Sequence, residues 1–243
     1  MHASTLAVTT IDTEAKSTMN MFATRRTVES SISQTRRRGV LRGSDLARVF
    51  AWVRPNDLVW NYWVSNYLLG DDPPAFDVLA WNSDTTNLPA ALHAEFVHLF
   101  LDNALLEPGK LSVLGTPVDL SKVVSDLYVI GATTDHLVPW QAAYVATQVY
   151  GGKSRYVLSN SGHIQALINP PGNPKASFLT SDETPPGAEV WLKGATRYTG
   201  SWWTDWTEWT IERSGAEREA PTRLGNDRHA PSDPAPGRNV GEK

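Results

Sequence analysis

Two short β-branched segments of the chain each end in a polar loop whose side chains suit acid–base chemistry. Asp135 follows the apolar run 127–130, and His163 follows the run 155–158. In acyl transfer a histidine takes a proton from the nucleophile and later returns it, while a carboxylate orients the imidazole. Loops at the carboxyl ends of neighbouring strands are held in register by the sheet. We therefore predict that Asp135 and His163 form the carboxylate–histidine part of such a site.

Spacing alone leaves other readings open, because an aspartate after a strand is often a helix cap and a histidine after Ser-Gly is often a turn residue. His136 is the rival base, but its side chain should point away from that of Asp135, so we expect it to be structural. The sequence has no cysteine, and it has no G-x-S-x-G turn that could present a serine nucleophile. Ser161 is too close to His163 to act as one. The sequence thus predicts the acid–base residues of an acyl-transfer site but contains no candidate for its nucleophile.

Composition limits the other classes of function. The chain has 243 residues, of which 41% are hydrophobic and 20% charged, enough for one core with a small appendage. Its net charge of -4 gives no reason to expect nucleic acid as a partner. It has no apolar run of membrane-spanning length and no signal-peptide pattern. No histidine or carboxylate cluster has the spacing of metal ligands. We expect no cofactor, no membrane contact and a cytoplasmic location, which the lack of cysteine fits.

The elements that would position the pair change in character along the chain. A Thr/Ser/Ala-rich start is expected to be poorly ordered, a mostly helical region follows, then a strand–loop–helix–strand order typical of a βαβ unit in a mostly parallel sheet, and last a Pro/Gly-rich tail. The boundaries are 1–24, 25–106, 107–212 and 213–243. Helices are expected at 44–69, 76–81 and 88–106. The basic run 36–38 before Gly39 predicts a helix end, with a phosphate contact as the alternative.

Tryptophan, at ten residues, is clustered in two stripes with helical spacing. The members are Trp60, Trp63 and Tyr67 in the first stripe, and Trp202, Trp206 and Trp209 in the second. Each stripe occupies one face of a helix. We interpret both as core anchors or interface packing, with a substrate-lining role as the alternative.

Longer strings of the sequence resemble the class I polyhydroxyalkanoate synthases, the poly(3-hydroxybutyrate) polymerases. They are NDLVWNY at 56–62, NYLLG at 66–70, FDVLAWNSDTTNLP at 76–89, PGKL at 108–111, DHLVPW at 135–140, SGHI at 161–164, INPP at 168–171, GSWWTDW at 200–206 and PAPGR at 234–238. The resemblance covers roughly residues 20–240, and strings of this length make it specific.

The resemblance implies an α/β-hydrolase fold with a helical cap, or lid, inserted before the strand that carries the aspartate. It implies an enzyme that joins 3-hydroxyacyl units of coenzyme A thioesters into a polyester through a cysteine nucleophile. Histidine activates the thiol, and aspartate assists in activating the 3-hydroxyl. By this resemblance the aspartate is Asp135 and the histidine is His163. The family's cysteine turn and first strands precede the cap, where this chain begins, so we expect a partial fold: the C-terminal strands and helices of the sheet behind a cap.

Two functions compete under this interpretation. The first is the acyltransferase portion of a synthase, which supplies Asp135 and His163 of a Cys-Asp-His triad, releases coenzyme A from 3-hydroxybutyryl-CoA and is inactive alone. The alternative is a non-catalytic fragment that binds full-length synthase or the polymer granule. Both imply 3-hydroxyacyl-CoA or the polyhydroxyalkanoate granule as partner, with a homodimer or a pair with a synthase chain. Acyl-CoA is a substrate here, so no cofactor is implied. An independent hydrolase is disfavoured, since no serine lies on a nucleophile turn.

Overall fold

The computed structural model describes residues 2–14, 24–53, 55–73, 85–234 and 237–238. The strands within these residues are β1 (Ala3–Ala7), β2 (Val40–Leu41), β3 (Leu88–Pro89), β4 (Ser112–Val113), β5 (Thr116–Pro117), β6 (Asp126–Ala132), β7 (Ser154–Ser159), β8 (Ser177–Ser181) and β9 (Thr196–Thr199). The α-helices are α1 (Arg25–Arg38), α2 (Gly43–Val53), α3 (Ala90–Leu101), α4 (Trp140–Tyr144), α5 (Ala146–Val149), α6 (His163–Leu167), α7 (Ala188–Gly194) and α8 (Trp202–Ser214).

The chain divides into two compact units, one formed by residues 1–41 and 88–214 and the other by residues 42–87 and 215–243. Helices α1 and α3, which lie in the region 25–106 that we predicted to hold a helical cap and the return to the core, belong to the same unit as the main sheet. The four-part division of the chain therefore stays a prediction. None of the helices in the described ranges is long and apolar enough to cross a membrane.

The main sheet has five strands in the order β1-β6-β7-β8-β9. β6 runs parallel to both β1 and β7, whereas β8 and β9 continue the sheet in antiparallel pairing. Helices α4 and α5 connect β6 to β7, so the predicted βαβ unit is present. Residues 127–130 of β6 are all fully buried, as expected for a strand that is covered on both faces. The α/β fold class predicted from the sequence is confirmed.

Alternate residues of β6 and β7 contribute to two hydrophobic clusters, as the pleat of a strand requires. One cluster joins Leu127, Val129 and Tyr156 to Trp191 of α7, and the Tyr156 and Trp191 rings meet edge-on at 4.7 Å between centroids. The other joins Tyr128, Ile130, Val157, Phe178 and Trp202, with Trp206 and Trp209 packed against it. The second tryptophan stripe is therefore core packing, and the predicted C-terminal helix is confirmed as α8.

The start of the chain differs from the poorly ordered segment that we expected for residues 1–24. Ala3–Ala7 form strand β1 and pair with β6. The Val8 amide continues the ladder by donating to Ile130 O at 2.8 Å, and the side chains of Val8 and Ile11 are buried. Pairing and burial order this segment although it lacks a clear alternating pattern. Residues 15–23 lie outside the described residues.

The first tryptophan stripe lies in the second unit, where α2 is followed by two π-helical segments, Asn56–Trp60 and Trp63–Leu68. Trp63 and Tyr67 stack with 4.3 Å between ring centroids. Trp60, Trp63 and Tyr67 are nevertheless 52%, 47% and 70% exposed. This stripe is therefore not a core anchor in the structure. Helical spacing indicates that the three side chains share a face, but it does not indicate that another element covers that face. Its interface role stays a prediction. The helix expected at 76–81 lies outside the described residues.

Helices α1 and α3 pack on each other through Val28, Ile32 and Ala94. Helix α1 ends at Arg38, and Gly39 follows in the left-handed conformation with φ of 79°. That conformation favours glycine, so the basic run ends a helix as predicted. Helix α3 begins directly after Pro89, which agrees with the predicted start of that helix.

Candidate active site

The loops that carry Asp135 and His163 leave the sheet side by side. The parallel pairing of β6 and β7 extends to Ala132 opposite Ser159. Beyond the strands, the Thr133 amide donates to Ser159 O at 3.0 Å and the Thr134 amide donates to Ser161 O at 3.1 Å. These bonds prolong the register of the strands into the loops. They bring Asp135, which follows Thr134, close to the start of α6, whose first residue is His163.

Asp135 and His163 form a direct side-chain pair, with 2.7 Å between Asp135 Oδ2 and His163 Nδ1. The Asp135 side chain is fully buried and that of His163 is 23% exposed. The second carboxylate oxygen, Oδ1, accepts from the amides of Leu137 at 2.8 Å and Val138 at 3.0 Å. The structure thus brings the two predicted site residues together and fixes the aspartate on three donors. Their catalytic role stays a prediction.

The hydrogen bonds of Asp135 determine which nitrogen of His163 carries the proton. An ionised carboxylate only accepts hydrogen bonds, so Nδ1 of His163 must be the donor. In the neutral ring this leaves Nε2 as the acceptor. Within the part of the chain that the structure describes, no side chain or backbone group bonds to this nitrogen. A ring held in this tautomer can take a proton from a nucleophile through Nε2.

The turn before His163 has a constrained backbone. Ser161 has φ of 89°, a left-handed conformation that is costly for a residue with a side chain. Asn160 holds this turn against the segment before β8, because its Oδ1 accepts from the Ser177 amide at 3.0 Å and its Nδ2 donates to Lys175 O at 2.8 Å. This role of Asn160 was not predicted from the sequence, although its place directly after an apolar strand is a signal that could have indicated it.

Helix α6 is only five residues long, and it contacts the core through the buried Ala166 and the half-buried Leu167. Ala166 is fully buried and forms a cluster with Val8 and Ala132. Its amide donates to Gly162 O at 2.8 Å, which closes the first turn. The small side chain of Ala166 lets the helix lie close to the end of β6. His163, at the first position of this helix, therefore depends on how α6 is seated.

Three other histidines occupy different surroundings. His93 lies in α3, where its Nδ1 is 3.1 Å from the hydroxyl of Thr35, and burial lowers its pKa. His98 Nδ1 is 3.9 Å from Asp102. His136 is half-buried beside Asp135, and its structural role stays a prediction. Across the described ranges, no group of three or more histidine or acidic side chains is placed to hold a metal ion.

Comparison with known proteins identifies the fold family. A family model for the alpha/beta hydrolase fold matches residues 12–170. The chain belongs to the alpha/beta hydrolase fold family. Alpha/beta hydrolases use a nucleophile, an acidic residue and a histidine in that chain order. Asp135 precedes His163 here, and both lie after neighbouring parallel strands. The pair therefore has the order and the placement of the second and third members of that set.

Curated proteins similar to this chain are polyester polymerases. Poly(3-hydroxyalkanoate) polymerase 1 of Ectopseudomonas oleovorans is 48% identical over 243 residues, which is 100% of this chain and 44% of that protein. The poly(3-hydroxyalkanoate) polymerase subunit PhaC of Cupriavidus necator is 49% identical over 205 residues, 84% of this chain and 35% of that protein. The polymerase of Methylorubrum extorquens is 35% identical over 97% of this chain and 39% of its own length. The resemblance to polyhydroxyalkanoate synthases is confirmed, and this chain spans less than half the length of these relatives.

Proposed function

We propose that this chain supplies the aspartate and histidine of an acyl-transfer site that polymerises 3-hydroxyacyl units from coenzyme A thioesters. The observation that supports this most is the 2.7 Å bond between Asp135 Oδ2 and His163 Nδ1, because it leaves Nε2 as the basic nitrogen. The names of the similar proteins supply the product class, a poly(3-hydroxyalkanoate). 3-Hydroxybutyryl-CoA is the proposed substrate, and the cytoplasmic polymer granule is the proposed location.

In the first step His163 Nε2 takes the proton of a cysteine thiol. The 243 residues contain no cysteine, so residues outside them contribute this thiol. The thiolate attacks the carbonyl carbon of the acyl-CoA thioester, the bond to the coenzyme A sulfur breaks, and the protonated His163 returns its proton to that sulfur. The acyl group is then held as a thioester on the cysteine, and coenzyme A leaves as the free thiol.

In the second step a 3-hydroxyl group attacks the cysteine thioester. His163 Nε2 takes the hydroxyl proton, an ester bond forms, and the proton passes to the departing cysteine sulfur. Asp135 assists through His163, because its side chain is fully buried and both of its oxygens already accept hydrogen bonds. This arrangement suits an aspartate that orients the imidazole and stabilises its charged form, more than one that contacts the hydroxyl itself.

A chimeric polymerase tests this proposal. The segment of E. oleovorans polymerase 1 that matches this chain is replaced by the 243 residues, and coenzyme A release from 3-hydroxybutyryl-CoA is measured. We expect release by the chimera, its loss in His163→Ala, and none from the chain alone. His229→Ala is the matched control, since His229 is exposed. Equal release by the chimera and its His163→Ala variant would refute the proposal.

A non-catalytic binding role is the second candidate, and the exposed apolar side chains of the second unit favour it. Trp52, Tyr67 and Leu69 are 67%, 70% and 69% exposed and belong to a series of exposed large apolar side chains between residues 46 and 69. A concentration of exposed apolar surface commonly marks a contact surface. On this alternative the chain binds a synthase or the polymer granule. It would then sediment with poly(3-hydroxybutyrate) granules, or reduce coenzyme A release by an intact polymerase, and Trp52→Gln with Leu69→Gln would abolish the effect. A catalytic portion without a binding role would show neither effect.

A further inference from the structure

Helix α6 is too short to be stable without contacts to the rest of the protein. It comprises only His163–Leu167, and its N-terminal cap, Gly162, offers no side-chain acceptor. Isolated helices of this length are not stable in water. The last carbonyl groups of any helix also lack partners within the helix, and burying them unpaired is unfavourable. The groups that satisfy these carbonyls therefore decide where α6, and His163 at its start, come to rest.

Three consecutive residues at the start of α8 provide those partners. The indole Nε1 of Trp202 donates to Ala166 O at 2.7 Å, and the indole Nε1 of Trp203 donates to Leu167 O at 2.9 Å. The Ser201 hydroxyl donates to Asn169 O, two residues beyond the helix. Ser201 and Trp202 are buried, which shields these bonds from competition by water.

The donors are themselves fixed to the strands that precede the site. Asp205, one turn along α8, accepts from the Tyr128 hydroxyl of β6 at 2.7 Å and from Nε of Arg155 in β7 at 2.9 Å. The Ser201 hydroxyl also accepts from the Trp203 amide at 3.0 Å, which caps the first turn of α8. The same two strands thus hold Asp135 directly and hold α6 through α8.

We propose that Ser201, Trp202 and Trp203 are positioning residues that set the orientation of His163 toward Asp135 by binding the carbonyl end of α6. The catalytic consequence rests on the proposed function, whereas the effect on the pair does not. Both indoles donate to backbone carbonyls of α6, so their influence on His163 passes through the backbone of this helix. These residues are part of the string GSWWTDW, and no role for Ser201 or Trp203 was predicted from the sequence.

The test replaces each indole by a ring that lacks the N–H donor, in the full 243-residue chain. Trp202→Phe and Trp203→Phe each remove one bond to α6. Trp206→Phe is the matched control, because the Trp206 indole lies on the same helix but donates to Thr5 Oγ1 of β1 at 3.0 Å. The readout is the proton NMR signal of the His163 Nδ1–H and its rate of exchange with water, with circular dichroism to verify the fold.

We expect the Nδ1–H signal to broaden or exchange at least about tenfold faster in Trp202→Phe and Trp203→Phe, since a lost buried hydrogen bond eases local opening, and to stay unchanged in Trp206→Phe. If Trp202→Phe does not fold, the Nδ1–H signal of Trp203→Phe decides the test, because Trp203 is only half-buried. An unchanged signal in the folded α6-contacting variants, or an equal change in Trp206→Phe, overturns the proposal.

A second readout separates this proposal from the proposed function. In the chimeric polymerase, Trp203→Phe is expected to lower kcat with little change in KM, because the base is misplaced while substrate contacts remain. If the NMR effect is present while the unaltered chimera releases no coenzyme A, the positioning role stands and the acyltransferase proposal fails. If the chimera is active and Trp203→Phe leaves kcat unchanged, the positioning role is refuted.

Discussion

Replacing Asp135 by asparagine should reverse the tautomer of His163. The carboxamide oxygen can still accept from the Leu137 and Val138 amides, as Oδ1 does now. The amide nitrogen then occupies the place of Oδ2, 2.7 Å from Nδ1, and it can only donate. Nδ1 must therefore become an acceptor, and the ring proton moves to Nε2. A base that is already protonated at Nε2 cannot take the proton of a thiol.

The energetic cost follows from the number of bonds lost. Asp135→Asn can keep three hydrogen bonds but removes the negative charge that strengthens them, which lowers the free energy of unfolding by about 1 kcal/mol or more. Asp135→Ala removes the acceptor of three donors and leaves two backbone amides unpaired, at about 1–3 kcal/mol each. We therefore expect the stability to decrease in the order wild type, Asp135→Asn, Asp135→Ala.

Three assays test this reasoning. Nitrogen-15 NMR of histidine-labelled chain identifies the protonated ring nitrogen, and urea unfolding gives the stability order. In the chimeric polymerase, Asp135→Asn should reduce coenzyme A release by about 10⁴-fold, the size of effect that a wrong tautomer produces in a catalytic triad. Retention of the proton on Nδ1 in Asp135→Asn, or a wild-type stability for Asp135→Ala, would refute the role assigned to the hydrogen bonds of this side chain.

Three further predictions concern stability, measured by urea unfolding. Burial lowers the pKa of His93, so below about pH 6.5 the unfolded chain binds a proton that the folded chain resists. The free energy of unfolding should thus fall as pH decreases below this value, and His93→Gln should flatten the dependence; an equal slope in both proteins would contradict this. Gly131→Ala should cost about 1–3 kcal/mol, because its Cβ would collide with the Tyr156 hydroxyl; a neutral effect would show that the ring can move. Gly39→Ala should cost about 1 kcal/mol from its φ of 79° alone, since nothing lies within 4 Å of the added Cβ; a larger loss would imply an unseen contact.

The pair of site residues was predictable because it depends on local signals. β6 and β7 are apolar runs that end in polar loops, and parallel neighbours place their loops together. The distance between Asp135 and His163 is then a consequence of the strand register. The order of apolar runs and polar loops predicts β6 and β7, and the geometry of neighbouring parallel strands predicts the contact between Asp135 and His163.

The features that escaped prediction depend on distant partners. Strand β1 has the sequence ASTLA, which does not alternate clearly, and its partner β6 lies far along the chain. β8 and β9 are SFLTS and TRYT, polar segments whose strand state follows from pairing with β7 and with each other. The two tryptophan stripes share helical spacing but differ in burial. The spacing shows which residues lie on one face of a helix, but it does not show whether another element packs against that face.

Strand β1 also has a consequence for the order of folding. Ser4 and Ser125, which bond across β1 and the start of β6, are 121 positions apart, whereas Asp135 and His163 are 28 apart. Closing the longer loop costs on the order of 1 kcal/mol more chain entropy. We therefore expect β6 and β7 to pair first, so that the Asp135–His163 contact assembles before the strand that borders the sheet is added.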